Sequence, residues 1–411
     1  MPDQQTFVIV GASLAGAKAA ETLRSEGFDG RVVLIGEEPV RPYERPPLSK
    51  GYLRGEAGFD DAAVHQQDFY RDQDIELRTS TTVTGLDPRS SEVVLEGGER
   101  MSFDRLLLAT GASPRRLAVP GADLEGVHYL RTVADADALR ARLATPSRLV
   151  VIGAGWIGAE VAASARQMGA DVAMVEMATV PLERVLGPEL GEVYLRLHDA
   201  HGVDLHMGAG VEALLGSKAV EAVRLSDGTT LPAEAVVVGV GVTPRVDLAR
   251  DAGLAVDNGV LVDEHLRTSV PAIFAAGDVA NAFHPRYGTR IRLEHWSSAL
   301  NQGPVAARAM LGRDVVYDRT PYFFSDQYDL GMEYRGWAPA FDRVVFRGDP
   351  AEGEFLAFWL RHGTVVAAMN ANVWDAGDAI EALLAAGKQV DPEVLADPGV
   401  DLRDLSGPGP G

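Results

Sequence analysis

Two glycine-rich stretches have residue types and spacing suited to holding a phosphate: GASLAG at residues 11–16 and GAGWIG at residues 153–158. Each follows a strand-like apolar run, FVIV or RLVVI, and opens a helix-like segment. Glycines in such a turn allow a sharp reversal and let backbone N–H groups approach a pyrophosphate, which the helix N-terminus then favours electrostatically. The second turn is a complete G-x-G-x-x-G; in the first, Ser13 takes the middle position, small enough to preserve close approach and able to add a hydroxyl contact. In both halves an acid closes the next strand, Glu37 after RVVLIG and Glu176 after DVAMV, where a ribose hydroxyl pair needs an acceptor. An acid at Glu176 repels a 2′-phosphate, and no arginine follows within the next seven residues, which favours NADH over NADPH. Two such units in one chain indicate two dinucleotides.

The elements that position these turns repeat. TFVIV, AGAKAAETLRSEGF and RVVLIG form a strand, helix and strand, and SRLVVIG, WIGAEVAASARQMG and DVAMVE repeat that unit. Beyond residue 320, PYFFSDQYDLGMEYRGW, DRVVFRG, EFLAFWLRHG and TVVAAMNANVW are rich in aromatic and β-branched residues and predict antiparallel strands, followed by a helix at AGDAIEALLAAG. The expected division is a split first domain (1–112 and 244–320), a second domain (113–243), a C-terminal domain (321–405) and a disordered tail (406–411). The length of 411 residues is enough for two or three domains with their own cores.

Composition removes several classes of function. With no cysteine in the chain, structural disulfides, thiolate metal sites, iron–sulfur clusters and dithiol relays are excluded. A net charge of −21 argues against non-specific nucleic-acid or anionic-membrane binding. No apolar run approaches the roughly 18 residues of a membrane span, and the N-terminus carries no secretory pattern. No metal site is expected, and the expected location is the cytoplasm.

Further segments carry a family resemblance. LLLATGA (106–112) and TSVPAIFAAGDVA (268–280) resemble the signatures of two-domain flavoprotein reductases. Within that group RPYERPPLSKGYL, HYLRT, GWIGAE and SDQYDLGMEYRGW resemble the NADH:ferredoxin reductases, the putidaredoxin reductase and aromatic-ring dioxygenase type. The resemblance implies an α/β fold with two Rossmann-like dinucleotide-binding domains of glutathione-reductase-like architecture. A C-terminal α+β domain with an antiparallel sheet completes it. It implies tightly bound, non-covalent FAD and NADH as co-substrate, with electrons leaving singly to an iron–sulfur ferredoxin that serves a haem-thiolate monooxygenase or a ring-hydroxylating dioxygenase. Carried over residue by residue, it implies FAD contacts at Gly11, Ser13, Leu14, Ala15, Gly16, Glu37, Arg45, Lys50, Val83, Ala109, Thr110, Gly111, Arg131, Gly277, Asp278 and Trp296. Arg131 would meet either a FAD phosphate or the isoalloxazine edge. NADH contacts are implied at Gly153, Gly155, Trp156, Ile157, Gly158, Glu160, Glu176 and Arg184, with Gly239 and Gly241 at the crossover. The departures are Ser13, and Phe324 where tryptophan is common.

Three groups are implied to take part in the reaction. Lys50, at the end of the proline-stiffened YERPPLSK, would favour reduced flavin by its charge, with Glu160 holding it in place. Trp296 would stack on nicotinamide or flavin; the plainer reading is a buried aromatic on a helix face. Between residues 286 and 319, Arg286, Arg290, Arg292, Arg308, Arg313 and Arg319 outnumber Glu294, Asp314 and Asp318, so a basic rim could steer an acidic ferredoxin. The same fold is open to other acceptors: rubredoxin, a monodehydroascorbate-like radical or oxygen. A redox-sensing flavoprotein of the apoptosis-inducing-factor type is a further alternative.

Overall fold

A computed structural model describes residues 5–145 and 147–406. The chain forms two compact units. Met1–Pro46, Ala57–Ser113 and Val242–Arg319 make the first; Pro47–Glu56, Pro114–Gly241 and Thr320–Gly411 make the second. Ser406, the first residue of the expected tail, ends a short helix, Leu402–Ser406, and 407–411 lie outside the described residues.

The first unit is built on a five-stranded parallel sheet, in the order Ile273–Ala275, Arg105–Leu108, Thr6–Val10, Arg31–Ile35, Ile75–Arg78. Its strands read as nearly unbroken apolar runs because both faces are covered: Val8, Ile9, Val33, Leu34, Leu106, Leu107 and Ile273 have no accessible surface. The helix Leu14–Ser25 leaves the end of the central strand and packs along the helix Trp296–Met310. Small residues set that approach. A Cβ on Gly303 would lie 2.4 Å from the Ala15 carbonyl oxygen and 3.2 Å from the Ala19 nitrogen. Ala15, at the start of the cradle helix, is thereby held by the backbone of a segment almost three hundred residues away.

The second unit repeats the parallel sheet in the order Asp204–Met207, Asp171–Glu176, Arg148–Ile152, Ala235–Val238, Val127–His128. It also contains the predicted antiparallel sheet, Tyr322–Gln327, Leu330–Gly336, Thr364–Ala371, Glu354–Arg361 and Arg343–Asp349 in spatial order. EFLAFWLR is buried at six consecutive positions, because each face of that strand has its own cover. On one side Phe355, Trp359, Met332 and Tyr334 meet Leu186, Leu190 and Tyr194. On the other, Leu356, Phe358 and Leu360 meet Ile380, Leu383 and Leu395. The segment Pro47–Glu56 is packed into this unit: Leu53 has no accessible surface among Leu139, Val161 and Ala165, and the Tyr52 hydroxyl donates to Asp137 at 2.9 Å.

Gly303→Ala forces a methyl group against a backbone carbonyl that cannot move without shifting the cradle helix. The expected cost is about 1–3 kcal/mol of stability, read as a lower thermal unfolding midpoint. A midpoint equal to that of the parent protein contradicts this account of the helix contact.

Candidate active site

In the first cradle the chain leaves Thr6–Val10 through Gly11 at φ +120°, where a Cβ would fall 2.0 Å from the Ala109 carbonyl oxygen. A Cβ on Gly16 would fall 2.1 Å from the Gly11 carbonyl oxygen. Both glycines are therefore sterically required. Ser13 is different: it caps the helix at φ −122°, ψ −162°, extended backbone open to any residue, and its hydroxyl makes no bond to the helix it caps. Substituting serine for the usual glycine thus costs nothing in backbone strain. Ala109, Thr110 and Gly111 lie across the turn, with the Thr110 hydroxyl donating to the Arg245 carbonyl at 2.8 Å and the Arg245 N–H donating to the Gly111 carbonyl at 2.9 Å. Gly277, at φ +78°, donates its N–H to Gln302 Oε1 at 2.8 Å, and a Cβ there would come 3.2 Å from Ala15 Cβ. That places the turn Gly277–Val279, which carries Asp278, beside Ala15.

Other residues expected at FAD are held as follows. Glu37 is gripped by both guanidinium nitrogens of Arg245, Nη2 to Oε2 at 2.8 Å, and that hydrogen bonding holds its carboxyl below the usual range. Arg45 reaches Glu38 at 3.4 Å. The Trp296 indole N–H donates to Glu44 Oε2 at 3.0 Å, from the first residue of its helix. Val83 packs against the apolar core of its unit. Arg131 lies in the second unit, where its N–H donates to Asp135 at 3.1 Å beside the Thr132 cap of helix Val133–Leu143.

The second cradle shows the same steric logic. Gly153 sits at φ +97° with Gly239 O 2.5 Å from its would-be Cβ, and Gly158 is 1.9 Å from Gly153 O in the same sense. Gly155, at φ −76°, has no protein atom within 4 Å of a built Cβ. Neither backbone nor neighbours demand a glycine there. The space it leaves, in front of the helix Trp156–Gln167, fits a close-lying pyrophosphate. Glu176 is pinned at the end of its strand by the Ala154 N–H (2.7 Å, Oε2) and the Ala178 N–H (3.0 Å, Oε1). Gly239 continues the cradle, and the Gly241 carbonyl accepts the Arg115 N–H at 2.9 Å. Ile157 and Arg184 are exposed, and the loop before Arg184 is tied to the turn by the Leu182 N–H donating to Ala154 O at 3.0 Å. The Trp156 ring faces Phe323 (4.8 Å) and Tyr194 (6.0 Å, perpendicular), so its bulk is spent on packing.

One turn into the same helix, Glu160 is 4% exposed. Lys50 Nζ lies 2.7 Å from its Oε2, Ser49 Oγ donates to Oε2 at 2.5 Å, and Ser325 Oγ donates to Oε1 at 2.7 Å. A buried charge demands such partners, and removing one member of a buried pair typically costs about 3–5 kcal/mol. Ser164 donates to the Ser49 carbonyl at 2.6 Å and receives Arg54 at 3.2 Å, which fixes the loop carrying both donors. Behind Ser325 stand Gln327 and His198, 3.0 Å apart, both buried. Sequence reading paired Lys50 with Glu160 but missed Ser49, Ser325, Gln327, His198 and Arg245.

The model of the pyridine nucleotide-disulphide oxidoreductases matches residues 5–303, and a reductase C-terminal model matches 322–406. The chain belongs to the pyridine nucleotide-disulphide oxidoreductase family. It is 42% identical over 398 residues to the ferredoxin–NAD(+) reductase component of the anthranilate 1,2-dioxygenase system of Burkholderia cepacia, covering 97% of this chain and 98% of that protein. Among solved structures, the ferredoxin reductase for the CYP199A2 system from Rhodopseudomonas palustris superposes with a TM-score of 0.94 at 38% identity, covering 98% and 100% of the two chains. The reductase of the covalent putidaredoxin reductase–putidaredoxin complex also gives 0.94, at 37% identity and 98% coverage of each chain. The expected family and fold class are therefore met. As a member of this family the chain is an oxidoreductase that uses FAD and NAD(P)H. The disulphide of the family's name has no counterpart, since the sequence lacks cysteine.

Burial pushes the His198 imidazole down to about 4. The unfolded chain, with an ordinary histidine near 6.5, binds more protons between those two values, so stability from this group falls as pH drops from about 6.5 to 4. The full loss is about 3 kcal/mol. Urea unfolding of the parent and of His198→Gln across that range should give a steeper acid loss for the parent; parallel curves contradict the assignment.

Proposed function

We propose that this protein is an NADH-dependent ferredoxin reductase, working in the cytoplasm and supplying single electrons to an iron–sulfur ferredoxin. That ferredoxin in turn serves a haem-thiolate monooxygenase or a ring-hydroxylating dioxygenase. The observation that carries this reading is the Lys50–Glu160 pair in a chain without cysteine. No dithiol of this chain can take the electrons onward, so they leave directly from the flavin. The named relatives, components of dioxygenase and P450 systems, support the acceptor class.

When bound, FAD accepts two electrons as a hydride from the nicotinamide and releases them one at a time. The chain's own residues bind and orient. We assign residues 1–112 with 244–320 to FAD, 113–243 to NADH and 321–405 to the C-terminal domain. Gly11, Ser13 and Gly16 shape the FAD cradle with Leu14, Ala15, Glu37, Ala109, Thr110, Gly111, Gly277 and Asp278. Gly153, Gly155 and Gly158 shape the NADH cradle. Glu176, held by two backbone donors, cannot swing aside for a 2′-phosphate, which supports NADH over NADPH. Lys50 supplies fixed positive charge that favours reduced over oxidised flavin, and Trp296 bears on the flavin or nicotinamide ring.

The basic rim is narrower than the sequence suggests. Arg290 donates to the Val262 and Asn281 carbonyls, Arg292 to the Asp278 carbonyl and to Glu294, and Arg308 to Glu26. Arg286, Arg290, Arg313 and Arg319 are exposed and are the residues we assign to steering a ferredoxin.

Lys50→Met should slow stopped-flow reduction of the flavin by NADH about tenfold or more, and Lys50→Arg should recover part of it; an unchanged rate in Lys50→Met contradicts the role. Steering by the rim predicts ferredoxin reduction that slows steeply with added salt. A flat salt profile argues for docking without it.

A further inference from the structure

Glu160 as a carboxylate can only accept hydrogen bonds, and this sets the direction of a chain of buried groups running away from it. Ser325 gives its one proton to Glu160 Oε1, so its oxygen accepts from Gln327, whose Nε2 lies 3.3 Å away. The amide nitrogen of Gln327 therefore faces Ser325, and its Oε1 faces His198 Nε2 at 3.0 Å. Oε1 is an acceptor, so a neutral His198 carries its proton on Nε2, and its bare Nδ1 accepts the Tyr328 hydroxyl at 3.3 Å. Ser325, Gln327 and His198 are each 0–1% exposed. In this chain every donor points toward Glu160, and hydrogen bonds aligned head to tail polarise one another.

We propose that His198 is a positioning residue for the reaction: with its proton on Nε2 it aligns Gln327 and Ser325 so that the whole chain supports the Glu160 carboxylate, and Glu160 stays in a full charge pair with Lys50. The consequence for the flavin rests on the role assigned to Lys50 above. His198 touches neither nucleotide cradle and acts only through the two residues between it and Glu160. A buried imidazole that resists protonation suits the task, because burial holds this ring neutral well below the ordinary histidine range.

Other charged and titratable groups face Glu160 as well. Lys50 is the ion-pair partner, and Arg54 reaches Ser164 on the same helix. Tyr194, fully buried, has its phenol pushed up first by burial and then by Glu160 and Asp326. Asp326 competes for Lys50: its edge is open to solvent, yet desolvation of the carboxyl raises it first, Lys50 lowers it and Glu160 raises it. Two carboxylates thus share one ammonium. Without the chain of donors Glu160 holds Lys50 less firmly against the pull of Asp326.

The test uses FAD-loaded protein and infrared spectra, at one fixed pH, of the parent, His198→Phe, Gln327→Leu and Ser325→Ala. Each variant is expected to shift the carboxylate stretching bands of Glu160, identified as the bands lost in Glu160→Gln, away from their parent positions. His198→Gln, which keeps an N–H donor, should restore the parent spectrum. In the same variants the flavin midpoint potential should move from the parent value, in the direction in which Lys50→Met moves it. Unshifted carboxylate bands in all three variants overturn the inference. Shifted bands with a potential that follows the parent support the chain and overturn the action of Lys50 on the flavin. If His198→Phe does not fold, Gln327→Leu and Ser325→Ala decide the matter.

Discussion

A single buried carboxylate imposes more order on this molecule than its size suggests. Glu160 lies one turn inside the helix that begins the second cradle, with almost no contact with water. A charge in that position is tolerated only with several well-placed partners, and no neighbour in its own sequence supplies them. They come from Pro47–Glu56 as Ser49 and Lys50, and from the strand Tyr322–Gln327 as Ser325. Three stretches of chain are thereby locked at one point, with tolerances set by hydrogen bonds of 2.5–2.7 Å. The helix that receives them also presents its N-terminus to the nucleotide turn, so cradle and ion pair share one rigid body.

The chain belongs to a family named for a disulphide and matches it from residue 5 to 303, yet no sulfur pair is present to store electrons. What the chain does possess is a fixed ammonium on a loop stiffened by two prolines and anchored through Tyr52, Leu53 and Arg54. A permanent charge can tune a cofactor but cannot itself carry electrons.

Local patterns made much of this legible. Apolar runs bounded by glycine marked the parallel strands, and the alternation beyond residue 320 marked the antiparallel sheet. Gly11, Gly16, Gly153 and Gly158 stand where their steric duty requires them. Ser13 looked like a departure and proves neutral, because its backbone is extended. The sequence hid what distance conceals. Arg245 grips Glu37 across 208 residues, and Ser325 reaches Glu160 across 165. Neither residue type nor local spacing marks such partners, since serine, glutamine and histidine in a strand or helix read as ordinary polar positions. The packing of the Trp156 ring against Phe323 and Tyr194 was equally out of sight, since both partners lie far along the chain.

Both compact units are stitched from segments far apart along the chain, and this bears on how the protein comes to be folded. As it is synthesised, Lys50 emerges more than a hundred residues before Glu160, and Ser325 emerges later still. The buried carboxylate therefore waits in water until the C-terminal sheet exists to close over it. Closing long loops against entropy makes such contacts slow to form. Glu160 thus gains its full set of partners only when segments 111 and 165 residues away along the chain have packed against it.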